Sequence, residues 1–171
     1  TTACLWGAVE PDTNNLFLYK EYYEHDLPIS EHAKNIILRG TGDYVDIWLI
    51  DPKAGAQKTG DTFKTIAQIY KESGLPVRLA EVGEDYGLAA SAEYLNATTL
   101  AQSRHPKIFV FNDLKTLQWE ISRYVWAFFG RGDLKGLSKE KPIKRHDHLM
   151  DCFRYICAMR PRSRARMQLL T

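Results

Sequence analysis

The chain has 171 residues, 44% of them hydrophobic and 26% charged, with a formal net charge of +2. That length suits one domain with a core of its own, no apolar run is long enough to cross a bilayer, and the small net charge by itself names no partner. Cys4, Cys152 and Cys157 sit in apolar settings without CxxC spacing, which argues against a disulfide framework and a thiolate zinc site and for a reducing compartment.

In chain order, TTACLWGAV lacks the basic start and small-residue cleavage site of a signal peptide and reads as the interior of a strand, as if the chain were cut there. ACLWGAV and LFLYKEYY flank EPDTNN, a turn of Pro, Asp and Asn, and so form a hairpin. SEHAKNIIL, from Ser30 to a stop at Gly40, is a short helix, and YVDIWLI is a strand ending at Asp51-Pro52. DTFKTIAQIYKESG places Phe63, Ile66, Ile69 and Tyr70 on one helical stripe, with Asp61 as cap and Gly74 as stop. PVRLAEV is a strand, GLAASAEYLNATTL a helix and KIFVF a strand. From Asn112, the spacing of Leu114, Leu117, Ile121, Tyr124, Val125 and Phe128 predicts one long amphipathic helix. A Gly-, Lys- and Pro-rich loop from Gly130 to Arg145 leads into a last helix, with Leu149, Phe153, Ile156 and Cys157 as its buried stripe. A hairpin followed by βα alternation predicts an α/β fold, one mixed sheet with helices on both faces.

Charge is unevenly spread. Residues 1–130 carry 12 Lys/Arg against 17 Asp/Glu, whereas residues 131–171 carry 11 against 4. Arg131, Lys135, Lys139, Lys141, Lys144 and Arg145 precede the last helix, where phosphate attraction is the expected role. Arg160, Arg162, Arg164 and Arg166 follow it, in a basic tail over 160–171 that reads equally as a flexible, solvated end.

The chemistry concentrates in RHDHLMDCFRY. On a helix, Asp147 and Asp151 lie four apart and His148 and Asp151 three apart, so all crowd one side of the first turn. A bland arrangement also satisfies the pattern: Asp147 as N-cap, with Asp151 paired to Arg154 or a loop lysine. Asp51 ends a strand, the usual place for ligand sites in sheets with helices on their faces, although Asp-Pro also makes an ordinary turn. Carboxylates that hold Mg²⁺ or Mn²⁺ beside cations that attract phosphate are what phosphodiester cleavage requires, with Asp51 and Asp151 supplying ligands to two ions. Lys53 is read as touching phosphate or solvent. Glu84 and Asp85 are read as loop acids that approach the site or stay solvated. Trp6, Trp48, Trp119 and Trp126 read as core or partner-facing rather than as base-stacking platforms, and His25, His32 and His105 lie apart from the acids.

With these residues in view, the chain resembles the C-terminal nuclease domain of the large terminase subunit of tailed double-stranded DNA phages. The likeness runs over nearly all of 1–171. TACLWGAVEPDTNNLFLYKEYYE is similar to that family's second and third strands, WLIDPKA to its acidic strand end, and GEDYGLAASAEYLN to its loop and helix. IFVFNDLKTLQWEISRYVW is similar to the strand and long helix that follow. The most specific match is KPIKRHDHLMDCFRYI, the closing basic, acidic and apolar signature. The resemblance implies an RNase H-like fold and a Mg²⁺- or Mn²⁺-dependent endonuclease that cuts concatemeric viral DNA in the host cytoplasm. Implied partners are double-stranded DNA, the terminase small subunit, the portal protein and an ATPase domain of the same longer chain; no membrane is implied. By position, Asp51 and Asp151 become metal ligands and catalytic residues, with His148 a ligand or its neighbour, Asp147 a further ligand, and Lys53, Lys141, Lys144 and Arg145 DNA contacts. The family's first catalytic aspartate falls on a strand ahead of the hairpin, before Thr1, and no GxxxxGK[ST] appears. The expectation is therefore a weak or inactive nuclease unless Glu21, at the end of LFLYKEYY, substitutes in part. The competing readings are an RNase H-like module that binds DNA or a portal without chemistry, and an unrelated, largely helical metallophosphohydrolase.

Overall fold

The structure is a computed structural model that describes residues 1–59, 63–80, 83–95, 106–128, 136 and 138–162. It is mixed α/β. Strands β1 (Thr2–Val9) and β2 (Leu16–Glu24) pair antiparallel, and β5 (Ile108–Val110) adds to β2 in parallel, giving the sheet order β1-β2-β5. The apolar, aromatic and β-branched content of these runs favours extended backbone, and the intervening turn closes through Asn14 at φ 57, a left-handed conformation that asparagine tolerates.

One irregularity in this hairpin sets which core each β2 side chain enters. Trp6 pairs with Lys20 but Gly7 pairs with Leu18, so Tyr19 is an extra residue in β2. Strand side chains alternate between faces, and an inserted residue reverses the alternation beyond it. Leu16 and Leu18 face the same core as Leu5, and beyond the bulge that side is taken by Tyr23, while Tyr22 joins Trp6 in the opposite core. Glu21 is thereby turned toward the first core.

That first core joins the sheet to α4 (Glu84–Leu95), α5 (Lys115–Ile121) and α6 (His148–Ala158) through Ala90, Leu117, Leu149, Phe153 and Cys157. The second core covers the other face with α1 (Ile29–Arg39) and α3 (Ile66–Glu72), through Ala33, Ile36 and Tyr70. Helices thus lie on both faces. Strands β3 (Trp48–Ile50) and β4 (Val77–Leu79) form a separate parallel pair that belongs to the second core, and the Trp6 and Trp48 rings meet edge to face at 5.8 Å. A five-residue helix, α2 (Pro52–Ala56), follows β3 and packs against the β3–β4 pair. A methyl at Gly55 would lie 2.7 Å from Leu79 Cδ2 and 3.0 Å from Ile50 Cγ2, so a larger residue there would have to push these side chains aside.

Several expectations change. The described strands form three hydrogen-bonded sheets rather than one, and the strand expected over YVDIWLI is only Trp48–Ile50. Helix α3 starts later than the stripe suggested because Thr65 and Gln68 form a reciprocal capping box; Phe63 stands outside the helix at φ 54, 80% exposed, and Asp61 lies outside the described residues. The largest correction concerns the long helix from Asn112. It ends at Ile121, and Tyr124–Phe128 instead leads into β6 (Trp126–Phe128), which pairs antiparallel with β7 (Ser138–Pro142) inside the expected loop. The apolar spacing fits a helix, but the Val-Trp-Ala-Phe-Phe run has higher strand propensity, and a pairing partner decides between them.

Helix α4 crosses α6 where Gly87 lies beneath Arg154: a methyl there would sit 2.7 Å from Arg154 Cγ. Alanine raises helix propensity by about 1 kcal/mol, yet Gly87→Ala is expected to lower stability by about 1–3 kcal/mol through overpacking against Arg154. The midpoint of urea denaturation at constant m-value measures this, and a midpoint raised above that of the unaltered chain would contradict it.

Candidate functional site

Asp51 follows β3 and caps α2, its Oδ1 accepting the Ala54 amide at 2.7 Å, with Pro52 favourably placed at the first helical position. Its Oδ2 accepts a hydrogen bond from the Tyr155 hydroxyl of α6. Burial raises the Asp51 pKa, but the bonds from Tyr155 and the Ala54 and Lys53 amides, with the Arg154 charge, outweigh it and leave it below the usual carboxylate value. The Tyr155 phenol is correspondingly pushed up, first by burial and then by this carboxylate.

One turn earlier on α6, Asp151 Oδ1 receives Arg154 Nη2 at 2.8 Å and Nε at 3.3 Å, a two-pronged charge-assisted contact. Arg154 is only 6% exposed. Burial disfavours its charge, yet the hydrogen bond and charge of Asp151 prevail and raise its pKa. Its guanidinium lies 4.7 Å from the centre of the Tyr155 ring, so Asp51, Tyr155, Arg154 and Asp151 form one chain of contacts. Lys144 approaches the same Asp151 oxygen at 3.7 Å, Glu84 Oε1 of α4 at 3.0 Å and Asp147 Oδ2 at 4.0 Å. Asp151 Oδ2 takes part in none of these contacts. Lys144 thus links acids from the starts of α4 and α6, Arg154 pairs with Asp151, and the acid at the end of β3 joins α6 through Tyr155, so two cations offset only part of the charge of four carboxylates.

The N-terminus of α6 is held by a residue that the sequence pattern did not single out. Glu120, 1% exposed, accepts the Leu149 and Met150 amides through Oε2 at 2.8 and 3.0 Å. Asp147 occupies the N-cap position but makes no cap bond with its side chain, and both its Oδ2 and Glu120 Oε1 are buried without a hydrogen-bond partner among the described residues. Burial, with the nearby Asp147 charge, raises the Glu120 pKa despite the amide bonds. Its signal in the sequence was an acid three residues beyond Leu117, at the edge of an apolar stripe. Glu21, the expected substitute acid, is engaged elsewhere: its two oxygens accept the Thr116 and Leu117 amides at 2.9 Å each, capping α5 across the hairpin.

Other expected site residues lie apart from this chain of contacts. His148 is exposed as the first residue of α6, its ring 5.9 Å from that of Tyr23. Lys53, Asp85 and Arg145 are exposed. Lys141 falls in β7, its side chain outside the described residues. Arg131, Lys135, Arg164, Arg166 and His105 also lie outside them. His32 is bonded to the Tyr22 hydroxyl at 2.8 Å in the second core. Tyr155 was legible only as a member of the closing signature, whereas the pairing of Asp151 with Arg154 and a loop lysine, Lys144, is the bland arrangement the sequence offered.

Chemically, the rim offers hard carboxylate oxygens of the kind Mg²⁺ and Mn²⁺ prefer. Among the described residues no three His, Cys, Asp or Glu side chains stand close enough together to hold a metal ion. A cation at Asp151 competes with Arg154 and Lys144 or takes the oxygen they leave open.

Because Asp51 has a depressed folded pKa, its contribution to stability is present above the unfolded carboxylate value and is lost as pH falls through the folded value. Tyr155→Phe removes the hydroxyl, so the Asp51 pKa rises, stability near neutral pH falls by about 1–2 kcal/mol, and the loss of stability between roughly pH 5 and pH 2 becomes shallower. Urea melts across that range, with a carboxyl titration followed by NMR, test this; an Asp51 titration unmoved by the substitution refutes it. Comparisons of the chain with protein-family models, curated proteins and solved structures found no match.

Proposed function

We propose that the chain is a divalent-metal-dependent endonuclease domain of the phage terminase type, built on an RNase H-like fold. The observation that supports the reading is the meeting of Glu84, Asp147 and Asp151 at Lys144, with Asp51 joined to the same helix through Tyr155 and the charge of Arg154. Phosphodiester hydrolysis needs this pairing of acids for cations with cations for phosphate. The KPIKRHDHLMDCFRYI signature adds support, as do Arg145 and Lys53, exposed cations from its basic approach and the Asp51 turn. The second core, shared by the β1–β2 hairpin and the β3–β4 pair, supports an RNase H-like arrangement in which both belong to one layer.

In this reading Asp51 and Asp151 would contribute ligands to Mg²⁺ or Mn²⁺, which would supply activation of water and neutralise charge on the leaving oxygen, whereas His148, its ring against Tyr23, and the buried Asp147, turned toward Glu120, do not complete the set. Tyr155 orients Asp51 by its hydrogen bond. Arg154 holds Asp151 in place and keeps its charge. Lys144 neutralises the acids until phosphate or cation arrives. The polymer cut is concatemeric double-stranded DNA, in a host cell, with the terminase small subunit, a portal protein and a linked ATPase domain as partners. A second reading, a DNA- or portal-binding module without chemistry, is favoured by Glu21 being committed to α5 and by the absence of a three-residue metal group among the described residues.

Nicking of supercoiled plasmid in millimolar Mn²⁺ or Mg²⁺ separates the two. Asp151→Asn is expected to reduce the nicking rate by roughly a hundredfold or more, at least what removal of a ligand's supporting hydrogen bond costs, while leaving the fold intact by circular dichroism. Equal nicking by Asp151→Asn eliminates the nuclease reading, and DNA retention insensitive to EDTA without nicking establishes the second.

A further inference from the structure

Beside the acid rim lies a group of side chains that the nuclease reading leaves without a role. Trp119, on α5, is 42% exposed, although tryptophan carries a large apolar surface that folding normally covers. The Arg123 guanidinium lies 4.4 Å from the centre of its ring, and the His146 ring meets it edge to face at 5.4 Å. Arg123 is fastened by hydrogen bonds from Nη1 to Ser122 Oγ at 3.1 Å and to Trp119 O at 3.4 Å, yet the residue remains exposed. Its other nitrogens, including the whole of Nη2, take part in neither bond. Neither Arg123 nor Arg145 forms an ion pair among the described residues.

The backbone places this group next to the acids. His146 has φ 52, a left-handed conformation uncommon outside glycine but tolerated by histidine. Around this turn, Lys144 reaches Glu84 and Asp151 while His146 reaches Trp119. Glu120, the residue after Trp119, holds the α6 N-terminus, so the α5 side chains are fixed relative to Asp151. Arg123, an exposed imidazole and an exposed indole therefore lie together near the rim, and Arg145 lies in the chain between Lys144 of the rim and His146, both guanidinium groups outside any ion pair among the described residues. Guanidinium forks suit phosphate oxygens, and an indole already carrying a cation presents apolar surface to a sugar or base beside that phosphate.

We infer that Arg123, Arg145, His146 and Trp119 form a DNA-contact platform that seats the phosphodiester backbone next to the acid rim. The inference rests on the proposed DNA-directed function and adds residues to it; only Arg145 was already assigned a DNA contact. Arg123 and Arg145 take phosphate oxygens, and Trp119 takes the adjoining nucleoside surface.

The test uses the 171-residue chain and a fluorescently labelled DNA duplex in EDTA, so that cleavage plays no part. Arg123→Ala with Arg145→Ala, both exposed and remote from the core, should weaken binding about tenfold near physiological salt and reduce the slope of log affinity against log salt by about 2, one unit for each phosphate that the variant no longer neutralises. Trp119→Phe should diminish the quench of tryptophan fluorescence on duplex addition while circular dichroism stays unchanged. Duplex binding by the unaltered chain with affinity, slope and quench all unmoved in the variants overturns the platform but leaves the DNA reading standing. Absence of any duplex binding by the unaltered chain overturns both.

Discussion

The buried carboxylate of Glu120 beneath the first turn of α6 is the constraint on which the rim depends. A helix start leaves amide groups without partners, and a buried start must find acceptors nearby. Here the N-cap residue does not serve; a carboxylate from α5 does, accepting two amides at once. The same solution recurs one step back, where Glu21 of β2 accepts two amides of α5. The bulge at Tyr19 makes this possible by reversing which side of β2 Glu21 faces. A register detail in the hairpin is thus passed through Glu21 to α5 and through Glu120 to α6, where it sets the position of Asp151, Arg154 and Tyr155.

Electrostatically the rim carries more carboxylates than cations, with Arg154 and Lys144 its two positive members. Removing one member of a buried pair leaves a charge with neither water nor partner, which is far costlier than the net gain of the pair itself. Arg154, largely buried, is therefore held by Asp151 as much as it holds it, and the close approach of Gly87 leaves the guanidinium little freedom to turn away. Lys144 differs. It is more than half exposed, its contacts with Asp147 and Asp151 are long, and solvent screens them, so it is the member of the network most readily displaced.

The strands and helices that carry their own signals were legible. The hairpin, the extent of α1 and the buried stripe of Leu149, Phe153 and Cys157 arise from alternation, helical spacing and turn chemistry, which are local. The long helix failed because Tyr124–Phe128 satisfies both periodicities and only a distant partner, β7, selects the strand. Asp51 and Asp151 were recognisable as acids in exposed chemical contexts, a strand end and a helix start. The pairing of Asp151 with Arg154, three residues on, was also legible, but the link from Asp51 to Tyr155 was not, because it joins residues about a hundred apart in the chain. Glu120 was hidden for a different reason: on a helix surface an acid beside an apolar stripe is ordinary, and only the arrival of a second helix start makes it necessary.

The two histidines of the closing motif show how much one backbone angle decides. In sequence, His146 and His148 flank Asp147 and suggest a shared role with the acids. The positive φ at His146 sends its ring to Trp119, and the start of α6 sends that of His148 to Tyr23, so each pairs with an aromatic ring. Asp147 between them is directed inward toward Glu120, where it remains buried. Among the rim acids only Asp147 is buried; Asp51 and Asp151 stay partly exposed, and the cation paired with Asp151, Arg154, is itself buried.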